Sequence, residues 1–359
     1  MEIYVRPLVR GAFLCALACA AALPAFATIE LGYRLHSQRP VLVLDDWRAA
    51  RLAELSFGER GRFDAALGWA PREGYASDRY NTLEHGIRRN FCEEEVRTGG
   101  ILAVGDLFTD GGDEVKDGET WPALLERMTG QPVLNGGVAG YGSDQIVMRA
   151  EQLLAVIEPE TLVIGLLGES IARAALASFG ASKPFYILDQ GRLAHHAPAR
   201  RESAEEGQPV WRARARDVLG HSALLDVVLS RVVPDYWIGK AGAPVFRSVD
   251  NDPVAVTCAL LQRLKTRADA DGIRMLLLLQ HMRQAVAEKT EPQEDVKKVA
   301  ACAASMAIEV VDQFEGLRAI AAASPEGLGD YYLQGEGDGQ MSRKGNLHAA
   351  ELLVRALKR

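Results

Sequence analysis

An α/β fold built on a parallel sheet, with helices on both faces, is what this sequence predicts from three observations. Short apolar runs recur along the chain, and they are continuous, as in strands buried on both sides. Each run is separated from the next by a helical pattern, the alternation that forces strands to lie parallel. The composition, 48% hydrophobic and 25% charged over 359 residues, is that of ordinary globular material able to bury a large core.

Taken in order, the first strand is Ile101–Val104, closed by Gly105 and Asp106. A Gly/Asp-rich loop leads to a helix over Trp121–Met128, capped by Thr120 or the residues before it. Gln131–Asn135 is the second strand, and Ser143 or Asp144 caps a helix running to about Val156. Thr161–Leu167 is the third strand, β-branched and apolar. A long helix over Pro253–Ala270 precedes the fourth strand, Ile273–Gln280. A helix over Val296–Ser305, a fifth strand at Ala307–Val311 and a closing helix over Arg343–Leu357 complete the pattern. Between about 178 and 252 the alternation gives way to Pro, Gly and charged residues, which reads as a lid-like insertion. Residues 31–98 are mixed and polar and read as a lead-in segment packing on the main domain, 99–359.

The first 30 residues read as an address. Arg6 and Arg10 precede an uncharged run from Gly11 to Ile29, about 28 Å long as a helix. The same run has the features of a secretory signal, with Pro24 before the small-residue site Ala25-Phe26-Ala27. Cleavage after Ala27 and retention as a membrane anchor both stay open, and both place the body across the membrane. The protein is therefore expected to be exported, periplasmic or anchored in the inner membrane, with membrane contact only through this segment. Of the five cysteines (15, 19, 92, 258, 302), three then remain, an odd number, so at least one is unpaired or buried. Their spacing fits neither a zinc module nor a disulfide scaffold, and no metal or cofactor is expected. The net charge of −7, with no basic stripe, excludes a nucleic-acid partner.

In a parallel sheet, function collects at the carboxyl ends of the strands. Four places qualify: Asp106 to Gly112, Asn135 to Gly142, Gly168 to Arg173, and Gly335 to Gly345. There the sequence resembles the SGNH (GDSL-type) hydrolase family. Gly105-Asp106-Leu107-Phe108-Thr109-Asp110-Gly111 is similar to its first block, G-D-S-F-T-x-G, with Trp121-Pro122 at the familiar distance. Asn135-Gly136-Gly137-Val138-Ala139-Gly140-Tyr141-Gly142 is similar to the second, Gly165–Arg173 occupies the third, and Asp338–Asn346 is similar to D-G-H-x-S-x-x-G-N. Gly68–Pro71 and Lys183–Tyr186 look like features of an exported bacterial branch.

The resemblance implies a three-layer, flavodoxin-like fold and the chemistry of acyl-ester hydrolysis or transfer. In active relatives a serine attacks, a histidine oriented by an aspartate takes its proton, and N–H groups with an asparagine hold the oxyanion. Carried over residue by residue, that chemistry is missing. The nucleophile position is Leu107, the base position is Gln340, and the oxyanion asparagine is Glu169. Asp106, the backbone of Leu107, Gly137 and the acid position Asp338 survive. Leu107 reads as a core residue plugging the old pocket, Ser143 as a helix cap, and His281 as a structural histidine. Two functions follow from different classes. One is a catalytically degenerate protein of the cell envelope that binds an acylated glycan, a small ester or an envelope protein partner without turnover. The alternative is an esterase with a relocated nucleophile and base, drawn from Ser143, His281 and His348. A serine-directed covalent probe separates them.

Overall fold

The structure, a computed structural model, describes residues 22–36, 47, 51, 57–198, 210–237, 246–334 and 339–359. Asp338, the stretch 200–206, and residues 1–21 with Cys15, Cys19 and most of the uncharged run lie outside the described residues. The chain divides into two units, residues 53–200 with 244–359, and residues 1–52 with 201–243.

Helix α1 (22–36) belongs to the smaller unit. The larger unit begins with an antiparallel hairpin, β1 (Gly61–Asp64) and β2 (Gly68–Pro71). Next come β3 (Ile101–Val104), the single turn α2 (Leu107–Asp110), α3 (Trp121–Thr129) and β4 (Val133–Asn135). Helix α4 (Ser143–Ile157) leads to β5 (Thr161–Leu166) and α5 (Gly168–Ala172). Four short strands follow: β6 (Leu176–Phe179), β7 (Ala181–Ser182), β8 (Phe185–Asp189) and β9 (Arg192–His196). The smaller unit then takes α6 (Val210–Leu219), α7 (Ala223–Val232) and α8 (Pro234–Trp237). The chain returns through β10 (Phe246–Ser248), α9 (Pro253–Ala270), β11 (Arg274–Leu279), α10 (Arg283–Glu288) and α11 (Glu294–Ser305). It closes with β12 (Glu309–Asp312), α12 (Phe314–Ala323), α13 (Pro325–Gly329) and α14 (Arg343–Leu357).

Five strands form the central sheet in the order β12-β11-β5-β3-β4, and every pairing is parallel. Renumbered by appearance within the sheet, this is the flavodoxin-like order, in which the first strand sits between the second and third. The layers follow from the two-residue period of the strands. Leu102, Val104, Leu162 and Ile164 face one way and pack with Ile146 of α4, Leu260 of α9 and Val299 of α11. Ile101, Ala103, Val163 and Leu278 face the other way, onto Trp121 and Leu125 of α3 and Leu353 of α14. A third cluster holds Leu167, which directly follows β5, together with Phe108 and Phe314, which lie shortly beyond β3 and β12, and Met341.

Several local readings change: the second strand starts at Val133 rather than Gln131, and the helix expected from Val296 starts at Glu294. The N-cap of α4 is Gly142, in extended conformation, rather than Ser143 or Asp144. Its N–H donates to the Gln145 side chain at 3.2 Å, and Ser143 is already helical. The fifth strand starts at Glu309 rather than Ala307, because Ala307 has a φ of 58° and turns the chain out of α11. Thr120 does cap α3, accepting from the Ala123 N–H. A Cys258–Cys302 disulfide joins α9 to α11, and Cys92 is free and exposed.

Candidate functional site at the carboxyl ends of the strands

Asp106 ends β3 and caps the turn α2. One of its carboxylate oxygens accepts from the Phe108 N–H at 3.1 Å. The other accepts from the Ser170 hydroxyl and has Arg173 Nη1 at 3.5 Å. The side chain is fully buried, and burial pushes its carboxyl above the ordinary range, an effect that the Arg173 charge and the Ser170 hydroxyl oppose. Asp106 is therefore a cap and a cross-tie between the first and third blocks.

Leu107 follows it, half-buried, at the start of α2. The structure brings it to Gln340. A Cβ built on Gly112 would lie 3.5 Å from Leu107 Cδ1 and 3.1 Å from Gln340 Oε1. Leu107 and Gln340 thus both border Gly112, one with an alkyl group and the other with an amide. Neither can supply or accept a proton at neutral pH. Gln340 Oε1 is buried and has no hydrogen-bond partner among the described residues.

The second block closes the floor. Asn135 donates from Nδ2 to the Thr109 carbonyl at 2.9 Å and accepts the Gly137 N–H on Oδ1 at 3.1 Å. A side chain at position 137 would meet the Asp110 amide nitrogen at 2.4 Å and the Thr109 carbonyl carbon at 2.7 Å, so only glycine fits. The Gly137 N–H, expected as an oxyanion donor, is engaged inside this floor. Glu169, in the asparagine position, lies half-buried in α5.

The loop carrying Leu107 is held from below by Arg88. This buried guanidinium donates to the carbonyls of Gly112 (2.9 Å), Val115 (2.6 Å) and Arg79 (2.9 Å), and to Asp117 Oδ1 (2.9 Å). It also donates to the Asp110 carbonyl, while its backbone N–H donates to the Asn135 carbonyl. Beside it, the Asp110 carboxylate accepts from Tyr80 Oη at 2.7 Å and Arg60 Nη1 at 3.0 Å. A small recess with Phe57, Trp69, Tyr80 and Arg60 in its walls borders this network and the second block at Val138 and Ala139.

The groups considered for a relocated triad lie apart. The Ser143 hydroxyl pairs with Thr257 Oγ1 at 2.6 Å, buried between α4 and α9. His281 follows β11 and holds Asp312 Oδ1 on its Nε2 at 2.7 Å, its ring edge-on to Phe314. His348 lies on α14 with Nδ1 at 3.4 Å from Gln313 Nε2, and burial lowers its pKa. No Ser or Thr hydroxyl is bonded to a histidine ring among the described residues. Nor do three His, Cys, Asp or Glu side chains converge on a metal position among them.

Sequence reasoning missed Ser170 and the His281–Asp312 pair. Ser170 stands directly after Glu169 in the third block. Asp312 follows the last residue of the expected fifth strand, so extending the strand-end inspection to that strand would have found it.

No family model matches the chain, and no curated protein does. Solved structures similar to it include the acetyl xylan esterase AlAXEase, 12% identical, covering 72% of this chain and 99% of that one, at a TM-score of 0.41. A lipase/acylhydrolase from Enterococcus faecalis is 14% identical over 72% of this chain and 95% of that one, at 0.38. A member of the lipolytic G-D-S-L family from Veillonella parvula is 12% identical over 73% of this chain and 100% of that one, also at 0.38. The order of its central sheet gives this chain a flavodoxin-like α/β fold.

Proposed function

We propose that the protein is a catalytically degenerate SGNH-type protein of the cell envelope, which binds an acylated glycan or an acylated partner without efficient turnover. The observation that carries the reading is the meeting of Leu107 and Gln340 at Gly112. Both positions needed for proton transfer and attack are filled by groups inert in either role, and loss of both leaves only binding and oxyanion contributions. Around them Asp106 caps α2, Asn135 accepts the Gly137 N–H, and Arg88 clasps the loop. The Cys258–Cys302 disulfide supports an oxidising compartment, in line with export.

The test is hydrolysis of short-chain aryl esters by the purified full chain, beside the Leu107→Ser/Gln340→His double variant and with a serine-directed covalent probe. A silent, unlabelled parent and an active, labelled double variant are expected. Turnover by the parent that the probe abolishes would overturn the reading and put an active nucleophile elsewhere in the chain.

A further inference from the structure

The smaller unit has a small apolar core at Trp47 and Trp237, with Leu229 and Tyr236 against it, and also shows large apolar side chains outward. A helix packed on a water-soluble protein normally buries an apolar stripe and shows its charged face. Helix α1 departs from this. The residues it turns inward are Glu30, Tyr33 and Arg34, whereas Leu23 (68% exposed), Phe26, Ile29 (61%), Leu31 and Leu35 (64%) stand outward. The inward contacts are polar and well formed. Glu30 accepts from the backbone N–H groups of Ala223 at 2.7 Å and Leu224 at 3.0 Å, and from the Ser222 hydroxyl at 2.9 Å. Arg34 Nε donates to Glu30 at 2.6 Å, and another of its nitrogens donates to the His221 carbonyl.

Helices α6 and α7 bury polar and apolar groups together. Arg216 donates to the Tyr236 carbonyl at 3.2 Å, Asp226 accepts from Trp237 Nε1 at 3.0 Å, and Ala223 is buried beside them, with Leu229 packed on the tryptophans. Exposed are Trp211, Val218 (72%), Val228 and Val232 (69%), with Arg214 and Arg231 among them. Three helices of one small unit that all leave large aliphatic or aromatic side chains outward mark a surface suited to apolar surroundings.

The sequence supplies the occupant of that surface. The outward apolar residues of α1 continue an uncharged run that begins at Gly11 and follows Arg6 and Arg10. None of the described helices is long and apolar enough to cross a membrane by itself, but the whole run to Ile29 reaches about 28 Å. Helix α1 passes through Ala25-Phe26-Ala27 without a break, and the Glu30 contacts start three residues later. Cleavage after Ala27 would remove the first turn and a half of a helix that this unit holds in place.

We propose that the run from Gly11 is retained in the bilayer and that the smaller unit rests on the lipid surface through the outward apolar residues of α1, α6 and α7. This interfacial contact is additional to the tether, and each partly buried aliphatic or aromatic side chain strengthens it.

The test reconstitutes the full chain in vesicles of phosphatidylcholine and phosphatidylglycerol with an apolar carbene-generating probe dissolved in the lipid, and labelled peptides are then mapped. Label is expected on α1 and on the segment 210–233. The Trp211→Ser/Val228→Ser/Val232→Ser variant should lose label in 210–233 several-fold while keeping it on α1, with the melting of the larger unit unchanged. Label confined to 11–29 would overturn the surface contact and leave a simple tether. A chain recovered from cells starting at Thr28, and unlabelled, would overturn retention. Cross-links between two copies through 210–233, in place of lipid label, would assign that face to a protein partner and overturn the proposal.

Discussion

Leu107 Cδ1 and Gln340 Oε1 lie against the same point beside Gly112, 3.5 and 3.1 Å from where a Cβ there would stand, although 233 positions of sequence separate them. The fold therefore brings the loop after β3 and the segment before α14 to one place. The consequence is a graded expectation for restored chemistry.

Leu107→Ser alone should stay close to background in aryl-ester hydrolysis, because its hydroxyl would face an amide that cannot accept the proton. Adding Gln340→His should raise the rate over the single variant by roughly 10²-fold or more, the usual contribution of a positioned general base. Equal rates for the single and double variants would show that position 340 does not serve position 107.

Lys183 and Asp144 form a fully buried ion pair, with Nζ also donating to the carbonyls of Leu176 and Pro184 at 2.9 Å. Burial drives the Asp144 carboxyl up and the Lys183 ammonium down, so each depends on the other to stay charged. Lys183→Met should cost about 3–5 kcal/mol in urea unfolding, since it leaves a buried carboxylate unpaired. Lys183→Met/Asp144→Leu should cost clearly less than the sum of the two single changes. Simple additivity would show that the pair is not coupled.

The Cys258–Cys302 bridge spans a separation of 44 residues, for which loop-closure entropy predicts about 4 kcal/mol of stabilisation. Reductant should lower the melting temperature of the wild type, and Cys258→Ser/Cys302→Ser should match the reduced protein. A melting temperature indifferent to reductant would mean the bond is not formed.

Glu30 gives the smaller unit a pH dependence of known sign. Burial alone would raise its carboxyl, but the Leu224 and Ala223 N–H groups, Ser222 and Arg34 outweigh it and hold it below the ordinary value of 4.5. A lowered folded pKa means that the stability it contributes is fully present above 4.5 and is lost as pH falls through the lower folded value. Hydrogen-exchange protection of the 222–232 segment, corrected for intrinsic rates, should fall in that acid range. Glu30→Gln should lower protection at neutral pH and remove the dependence.

The strands of the central sheet were legible because burial on both faces writes them as unbroken apolar runs, as in Ile101–Val104 and Thr161–Leu166. The closing helix Arg343–Leu357 was legible for a related reason, since Ser342 caps it and its apolar positions recur at helical spacing. The start of β12 was missed because no residue type announces the left-handed turn at Ala307, which Gly or Asn would have signalled. At the site, the substitutions at 107 and 340 stood out against the blocks around them. The tie between Ser170 and Asp106 did not, because it crosses from one strand end to the next, 64 positions away, and depends on tertiary packing alone. The exposure of the apolar residues of α1 was hidden as well. Sequence gave the apolar side chains, and only the folded unit tells which of them face outward.

Arg88 sits 19 positions before Leu107 and has no hydrogen bond to the side chain of Gln340 among the described residues, yet its guanidinium ties together the loop that follows the first strand of the central sheet. The shape of that loop is thus inherited separately from its reactivity. A lineage could exchange the attacking residue or its base without disturbing the packing that displays them, so selection for a well-folded binding surface and selection for turnover act on different codons. A protein organised this way can hold the shape of a loop while the side chains displayed on it change.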